Sequence, residues 1–458
     1  MKNRKDAALT MLRIAKKVRI RLVNLLVVAM MTLCLPLVAN ARMEQPEGVT
    51  PTTPPPGFVG VDGKRFVTPD GAPLNLRGIN LGNWLVPEGY MFKFDNATSP
   101  KLIYTAIEQL VGDRAARDFW TEFRETYITH ADIRYIKSLG FNSIRVPLHY
   151  KLFLSARHSE TLDGPGYHLL DRLIAWCRQE GLYVILDMHA APGGQTGDNI
   201  DDSWGHPFLY DSEHNQALLI KIWKSLAERY SGETTVLGYD LLNEPIAHFV
   251  DTEYFNPKLE PLFKRIATAI REVDPNHIII LTGAQWGTNF DMLGAPFDDK
   301  LAYTFHTYWT DPVQDSIQRY VDFADTHNVP LWLGESGENT DEWVAAMRQL
   351  LEKNDIGWAF WPYKKIDSPS AVVSVPKSED WDAIIAFANS SRASLADIRA
   401  HRPAGDVIDK ALNDLLVNIR FENSVPNVGY IQALGLSIPE PEPDVADARQ
   451  PADSAPTP

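Results

Sequence analysis

The chain has 458 residues and a formal net charge of −15, and 45% of its residues are hydrophobic and 22% charged. This is the composition of an ordinary globular protein with enough apolar side chains for a large core. An acidic chain is repelled by a phosphate backbone, so we do not expect nucleic acid as a partner, whereas a neutral ligand meets no such repulsion.

The first 41 residues differ from the rest of the chain. Eight Lys or Arg residues and one Asp precede an apolar run at 22–38, which is followed by Ala39-Asn40-Ala41. A basic start, an apolar stretch and a small-x-small site are typical of a secretory signal peptide. We therefore predict a signal peptide at 1–41, a secreted or periplasmic protein without stable membrane association after cleavage, and a mature net charge of −22, since the segment carries +7. An uncleaved anchor is the alternative, because the apolar run is close to the lower length of a membrane span.

The segments on either side of the apolar middle of the chain have distinct compositions. Residues 42–57 are rich in Pro and predict a stiff linker. In 64–76, the turn sequence Pro69-Asp70-Gly71 predicts a β-hairpin that would plug the closed end of a barrel. Residues 58–420 are predicted to form one domain, and residues 421–458 an extension with a disordered tail that is rich in Pro, Ala, Asp and Glu.

The cysteines and histidines give no sign of a metal or cofactor. Cys177 is the single Cys after residue 41 and lies in a helical pattern, so we expect no intrachain disulfide and a buried, inert thiol. His214, His248 and His277 lack the spacing of metal ligands. Asp201, Asp202 and Asp211 are loop residues, and acidic loops are usually just solvated. We therefore expect no metal and no organic cofactor.

Apolar runs of strand length alternate with helical patterns through the middle of the chain. The predicted strands are 75–80, 142–147, 182–188, 237–242, 277–281, 302–305, 331–333 and 357–360. The predicted helices are 129–139, 167–180, 213–230, 259–273, 313–327, 341–353, 381–387 and 407–417, with a long insertion after the first strand and a long polar loop at 189–210. Eight strands alternating with helices predict a single α/β domain, a (β/α)8 (TIM) barrel with an N-terminal β-hairpin and disordered termini.

Two Glu residues end strands on opposite sides of the predicted barrel. Glu244 follows the fourth strand in Leu-Leu-Asn-Glu-Pro, and Glu335 ends the seventh in Leu-Gly-Glu-Ser. Because the carboxyl ends of all barrel strands lie on one face, we expect the two carboxylates to face each other across a cleft. Such a pair can cleave a glycosidic bond, since one carboxyl protonates the leaving oxygen and the other attacks the anomeric carbon or activates water.

Further polar and aromatic side chains follow the other predicted strands. Each has a structural interpretation by itself, but their convergence with two Glu residues on one face indicates a site. Arg145 and Tyr308 can hydrogen-bond a carboxylate and keep it ionised, and Asn243 can bond a sugar 2-hydroxyl. Tryptophans can stack on sugar rings. The predicted site residues are Arg145, His189, Asn243, Glu244, His306, Tyr308, Glu335 and Trp361, with Trp84, Trp204 and Trp309 in nearby loops.

The ordered set of motifs at these strand ends resembles family 5 of the glycoside hydrolases, the cellulase A family. The motifs are Asn-Ser-Ile-Arg-Val-Pro, Leu-Asp-Met-His, Leu-Leu-Asn-Glu-Pro, Phe-His-Thr-Tyr, Leu-Gly-Glu-Ser and Phe-Trp-Pro-Tyr, and they extend from about Arg77 to Trp361. The resemblance implies that Glu244 is the acid/base, that Glu335 is the nucleophile, and that the other six strand-end residues are shared site positions. It also implies retention of anomeric configuration, with the two carboxyl groups roughly 5–5.5 Å apart.

Two segments are similar to the exo-β-1,3-glucanases of this family. They are 77–91 and 189–197, and in those relatives the Glu that matches Glu88 helps to hold the terminal glucose. We therefore expect a monomer that acts on β-linked oligo- or polysaccharides, namely β-1,3- or mixed-linkage glucans, with an exo mode as one option. Gly-Asn-Trp in place of Gly-Gly-Trp, the longer loop at 198–203 and Leu-Gly-Glu-Ser are departures. They leave open an endo-β-1,4-glucanase or a β-mannanase; transglycosylation and a non-catalytic carbohydrate-binding protein are further alternatives.

Overall fold

The computed structural model describes residues 57–155 and 160–438. The predicted signal peptide, nearly all of the predicted linker and the predicted disordered tail lie outside these residues, so those three assignments stay predictions. In the described part of the chain, no helix has the length and apolarity needed to cross a membrane.

Eight parallel strands close into a barrel, as predicted. A short hairpin, β1 (Gly60–Asp62) and β2 (Arg65–Val67), precedes it. The barrel strands are β3 (Arg77–Asn80), β4 (Ser143–His149), β5 (Tyr183–Ala190), β6 (Val236–Asp240), β7 (Ile278–Thr282), β8 (Leu301–His306), β9 (Leu331–Glu335) and β10 (Gly357–Phe360). β10 pairs with both β3 and β9, which closes the barrel. A small sheet follows, made of β11 (Lys364–Ile366), β12 (Val373–Val375) and β13 (Val425–Pro426).

Helices surround the barrel. They are α1 (Pro100–Val111), α2 (Asp113–Thr126), α3 (His130–Leu139), α4 (Gly166–Glu180), α5 (Glu213–Tyr230), α6 (Thr252–Arg271), α7 (Ala284–Gly287), α8 (Gln314–His327), α9 (Asp341–Lys353), α10 (Trp381–Asn389), α11 (Leu395–His401), α12 (Gly405–Asn418) and α13 (Val428–Ala433). Three short 3-10 turns lie at Gly89–Phe92, Tyr150–Phe153 and Phe421–Asn423.

The ends of the predicted strands and helices differ from the observed ones by at most two residues, except at the start of α6. The predicted insertion after the first strand holds α1 and α2, which are separated by Gly112. α6 begins seven residues earlier than predicted because the Asp251 side chain accepts a hydrogen bond from the Tyr254 N–H and caps it, although Pro257 and Pro261 lie inside the helix.

The hairpin plugs the barrel, and its ladder extends beyond the predicted residues. At the predicted turn the Gly71 N–H donates to the Thr68 carbonyl at 2.8 Å, and across it Val67 pairs with Pro73 in an antiparallel bridge. β2 also pairs with β1, to which it is joined at Gly63. Phe66 on β2 packs with barrel-interior side chains, namely Val59, Leu76, Ile185, Leu237, Ile278, Ile280, Ala302, Trp332 and Ala359. Leu76 precedes β3 and Ile278 begins β7, so the plug lies at the amino ends of the strands, opposite the predicted site.

The first part of the predicted extension packs against the barrel. The Tyr430 hydroxyl on α13 donates to the Trp361 carbonyl at 3.1 Å, and the Arg348 Nε on α9 donates to the Ala433 carbonyl at 3.1 Å. These contacts hold the chain immediately after β10, where a predicted site residue lies. Cys177 is buried on α4, and burial raises the pKa of its thiol, as expected for an inert cysteine.

Candidate active site

Arg145 on β4 is the centre of a buried network at the carboxyl ends of the strands. Its side chain is fully buried. Its Nη1 donates to Glu335 Oε1 at 2.5 Å, its Nη2 to Asn243 Oδ1 at 2.8 Å, and its Nε to Asp240 Oδ2 at 2.9 Å. Nη2 also forms an ion pair with Asp187 Oδ1 at 3.1 Å. One guanidinium thus joins strands β5, β6 and β9 and fixes the position of Glu335.

The carboxyl groups behind the site have perturbed acidities. Burial raises the pKa of Asp187 to about 7, against the opposing charge of Arg145, and burial also raises the pKa of Asp240. Asp187 Oδ2 lies 2.8 Å from His189 Nδ1. Burial lowers the pKa of His189 to about 4, so this imidazole is neutral near pH 7. Asp187 therefore orients His189 without making it a cation.

Glu335 accepts hydrogen bonds on both carboxylate oxygens. Arg145 donates to Oε1, and the Tyr308 hydroxyl donates to Oε2 at 3.1 Å. Burial raises the pKa of Tyr308 well above its ordinary value, so the hydroxyl keeps its proton and acts as a donor. A cation and a phenol together stabilise negative charge on this carboxylate, which is the condition of a nucleophile.

The environment of Glu244 differs from that of Glu335, because it favours the protonated carboxyl group. It follows β6 with a left-handed φ of 41°, and burial raises the pKa of its carboxyl group to about 7. Its Oε1 lies 2.9 Å from His306 Nδ1. Burial lowers the pKa of His306 to about 4, so this neighbour is neutral and does not hold the carboxyl group ionised. Glu244 can therefore carry a proton near neutral pH, as a general acid must.

The two Glu side chains face each other closely. His306 Nδ1 lies 2.9 Å from an oxygen of Glu244 and 3.8 Å from an oxygen of Glu335. An oxygen of Glu244 and one of Glu335 come within 4.8 Å of each other. A retaining enzyme needs a short separation of about 5–5.5 Å between the two carboxyl groups, whereas an inverting enzyme needs about 6.5–9.5 Å to admit a water.

These side chains open into a cavity of about 670 Å³. Seven of the predicted site residues line it, namely Glu88, His189, Glu244, His306, Tyr308, Glu335 and Trp361, together with Trp309. Arg145 and Asn243 are buried behind this surface. The Trp361 ring is parallel to the His189 ring at 5.6 Å, and its Nε1 donates to the Tyr90 hydroxyl at 2.7 Å. The chain thus brings together residues from strands that are far apart in sequence.

The stacking predicted for Trp84 is wrong. Its side chain is only 1% exposed, it packs in the core, and its Nε1 donates to the Arg124 carbonyl on α2 at 2.8 Å. No face of the ring is left for a sugar. Trp204 is 78% exposed but does not line the cavity, and the Lys101 ammonium lies 3.8 Å above its ring. Trp309 is 75% exposed and does line the cavity.

Trp84→Phe is expected to lower stability and leave KM unchanged. The substitution removes the hydrogen bond to Arg124 and leaves unfilled space beside α2, which together cost about 1–3 kcal/mol. Denaturant unfolding measures the loss, and steady-state kinetics of the folded variant supply the control. A large increase in KM without a loss of stability would restore a role for Trp84 in binding.

Two departures from the family pattern have local structural reasons. Asn83, in Gly-Asn-Trp, has a left-handed φ of 65°, which Asn adopts more readily than most residues, and its Oδ1 accepts the Glu88 N–H at 3.1 Å. In the longer loop, Asp201 Oδ2 accepts the N–H groups of Gln195 and Thr196, each at 2.5 Å. Gln195 Nε2 in turn donates to the His189 carbonyl at 2.7 Å. Both departures therefore form hydrogen bonds that help to hold the backbone at Glu88 and His189.

Sequence reasoning missed a charged pair at one end of the cavity. Lys365 Nζ lies 2.5 Å from Glu338 Oε2 and 4.6 Å from the centre of the Tyr90 ring. Glu338, with a left-handed φ of 50°, and Tyr90 line the cavity near Glu88. Burial raises the pKa of Glu88 well above its ordinary value, and the negative charge of the nearby Glu335 adds to the effect. The pair joins β11 to the loop after β9, so no local sequence pattern marks it. Asp187 and Asp240, in contrast, could have been found as polar residues inside apolar strands.

A closed parallel barrel with two facing Glu residues at the ends of its strands is an arrangement that can carry out glycoside hydrolysis. The family model described as "Cellulase (glycosyl hydrolase family 5)" matches residues 108–366, which is more than half of the chain. The chain therefore belongs to glycosyl hydrolase family 5, as its motifs predicted.

Curated proteins are similar to the chain in sequence, and a solved structure is similar to it in fold. A "Beta-xylosidase" of Phanerodontia chrysosporium is 29% identical over 346 residues, which cover 68% of this chain and 71% of that protein. A "Probable glucan 1,3-beta-glucosidase A" of Aspergillus fumigatus is 29% identical over 210 residues, 45% of this chain and about half (49%) of that protein. The crystal structure of an endogalactoceramidase superposes with a TM-score of 0.52 at 19% identity, covering 67% of this chain and 75% of that one, and so shares the fold.

Proposed function

We propose that this protein is a retaining β-glucan hydrolase that cleaves β-1,3- or mixed-linkage glucans by double displacement. The observation that carries the proposal is the opposite environment of the two facing carboxyl groups. Glu335 accepts hydrogen bonds from Arg145 and Tyr308, while burial raises the pKa of Glu244 to about 7. A nucleophile and an acid are thus distinguished before substrate binds.

In the first step, a carboxylate oxygen of Glu335 attacks the anomeric carbon. The glycosidic C–O bond breaks, and the Glu244 proton passes to the leaving oxygen. The sugar is then an ester of Glu335, and Glu244 is a carboxylate. In the second step, Glu244 takes a proton from water, the hydroxyl oxygen attacks the anomeric carbon, and the bond to Glu335 breaks. Two inversions retain the configuration, in keeping with carboxylate oxygens within 4.8 Å.

The positions of the two Glu residues also orient the substrate. The proton donor must lie beside the leaving group, so the leaving group occupies the side of Glu244, His248 and Trp286. The glycone then occupies the side of Trp361, Glu88 and Glu338. Carboxyl groups and an aromatic face there suit the hydroxyls and the apolar face of a sugar.

Contacts between loops support an exo mode of action. Trp361 donates to Tyr90, Lys365 lies over the Tyr90 ring, and Lys365 pairs with Glu338. These contacts join the loops after β3, β9 and β10 on the glycone side of the cavity. A chain end fits against such a joined wall, whereas an internal segment of a polymer requires a passage through it.

Lys365→Met is expected to raise KM for an aryl β-glucoside about tenfold with a smaller change in kcat. The substitution leaves the half-buried Glu338 carboxylate without its cation and costs about 3 kcal/mol of stability. The double variant Lys365→Met/Glu338→Gln is the matched control, since it removes the uncompensated charge. It should recover most of the stability but not the KM. An unchanged KM in Lys365→Met would remove this pair from the glycone site.

Product analysis tests the proposed function. Laminarin, barley mixed-linkage glucan, carboxymethylcellulose and mannan are incubated with the enzyme and, as control, with Glu335→Gln. Glucose as the first product from laminarin, released with β configuration by NMR, is the expected result. A rapid loss of viscosity of carboxymethylcellulose would indicate an endo-β-1,4-glucanase, and oligosaccharides from mannan a β-mannanase.

A β-xylosidase activity is the second candidate, because the relative with that name aligns over 68% of the chain. Glucose differs from xylose by its hydroxymethyl group, which a glycone site either contacts or excludes. Paired aryl β-glucoside and β-xyloside substrates distinguish the two. A kcat/KM at least about tenfold higher for the glucoside is expected, and the reverse order would favour the xylosidase.

A further inference from the structure

A second cavity, of about 530 Å³, lies beside α8. Residues 288–300, all of which the structure describes, contain no helix, so the connection from β7 to β8 has only the short α7. Where a longer helix would cover the barrel, this connection leaves an open crevice against α8. Polar and aromatic side chains line it, among them Gln285, Asn289, Asp291, Arg319, Tyr320 and Phe323.

The second cavity adjoins the active-site cavity. Thr288, Arg319 and Tyr320 line both. Arg319 Nη2 donates to the Tyr320 hydroxyl at 2.8 Å, and this hydroxyl donates to the Thr288 carbonyl at 3.0 Å. Three hydrogen-bonded residues therefore form the boundary between the two spaces.

The second cavity lies on the leaving-group side. The Gln285 N–H donates to the Ile246 carbonyl, two residues after Glu244, at 2.8 Å. Gln285 and Trp286 both have left-handed backbones, with φ of 49° and 64°. This strained turn places Trp286 in the active-site cavity and Gln285 in the second one. The proton donor and the second cavity are thus connected by one short segment.

The lining matches a neutral sugar chain. Arg319 is exposed and, among the described residues, has no carboxylate within ion-pair distance. Its guanidinium retains N–H donors for hydroxyl oxygens after its bond to Tyr320. Asp291 is exposed and can accept from hydroxyls, while the partly buried Phe323 supplies apolar surface. Donors, an acceptor and an aromatic face are what oligosaccharides contact.

We propose that the second cavity binds sugar units of the leaving group, two or more positions beyond the bond that is cleaved. The enzyme then favours long chains over short glycosides, because binding energy from the remote units is used at the reacting centre. This inference rests on the proposed hydrolase function and adds the length of its substrate.

Chain-length dependence tests the proposal. The kcat/KM is measured for an aryl β-glucoside and for β-1,3-linked gluco-oligosaccharides of two to six units. For the wild type it should rise with length by about tenfold or more. Arg319→Ala should lower the ratio of the hexamer value to the aryl glucoside value about tenfold, the worth of one charged hydrogen bond. Asp291→Ala, which alters the second cavity alone, should lower the same ratio about threefold.

Arg178→Ala on α4 is the matched control, since Arg178 is an exposed arginine outside both cavities. Its ratio should equal that of the wild type. Equal efficiency at all lengths, or a rise that survives in both cavity variants, would overturn the proposal while hydrolysis of the aryl glucoside leaves the hydrolase function standing. Hydrolysis of no substrate above the level of Glu335→Gln would instead overturn the hydrolase function itself.

Discussion

Glu335→Gln is expected to lower kcat/KM on glucan oligosaccharides about 10⁵-fold while preserving sugar binding. The amide has the shape of the carboxylate but cannot form the ester with the anomeric carbon, so the double displacement stops before its first step. The amide oxygen can still accept from Arg145, and the Tyr308 hydroxyl can turn to accept from the amide NH2, so the fold should persist. Steady-state kinetics measure the loss, and calorimetric titration with a non-hydrolysed oligosaccharide measures binding.

Glu342→Gln is the control for this substitution, because Glu342 lies on the surface of α9, away from the cavity. It should match the wild type in both measurements. If the wild type binds oligosaccharides but turns them over no faster than Glu335→Gln, the protein is a carbohydrate-binding protein without catalysis. If Glu335→Gln keeps more than about 1% of the activity, another group is the nucleophile.

The barrel could be predicted from sequence because its strands have a recognisable sequence pattern. A parallel strand covered on both faces is a continuous apolar run, as at 183–186, and such runs recur with helical patterns between them. The hairpin turn at Pro69-Asp70-Gly71 could also be predicted, because this is a strong turn sequence, and Val67 pairs with Pro73 across it. The pairing of β1 with β2 was not predicted, although Asp62-Gly63 at their junction is also a turn sequence.

The site was predictable where one strand end supplies one residue and not where two distant loops form a pair. Glu244 follows a strand, and His306 and Glu335 end theirs, so barrel geometry alone brings them together. Lys365 and Glu338 meet only because β11 folds beside the loop after β9. Trp84, in contrast, was predicted at the site but lies in the core. Its position after β3 favoured the cavity, but packing against α2, a helix absent from the sequence prediction, buried it.

The acidity of Glu244 links catalysis to stability. Burial raises the pKa of this carboxyl group to about 7 in the folded protein, above its ordinary value of 4.5. The unfolded chain therefore loses this proton at lower pH than the folded one. Stability from the buried neutral carboxyl is present below about pH 4.5 and is lost progressively as pH rises to about 7, by about 3 kcal/mol in total. In the proposed mechanism, the same burial supplies the general acid.

Glu244→Gln is expected to abolish the alkaline fall in activity and to stabilise the protein above pH 7. Wild-type kcat/KM should fall as pH rises through about 7, since an ionised Glu244 cannot protonate the leaving oxygen. With a dinitrophenyl β-glucoside, whose leaving group needs no proton, the variant should still form the glycosyl ester, and its rate for that step should stay level across this range. With oligosaccharides it should lose about 10³-fold or more.

Asp187 also has a pKa of about 7, so the difference between wild type and variant, rather than either profile alone, isolates Glu244. Denaturant unfolding at pH 5 and pH 8 should show a gain for the variant at pH 8 only. An alkaline fall that persists in Glu244→Gln on the activated substrate would assign the titrating group to Asp187, whose charge reaches the nucleophile through Arg145.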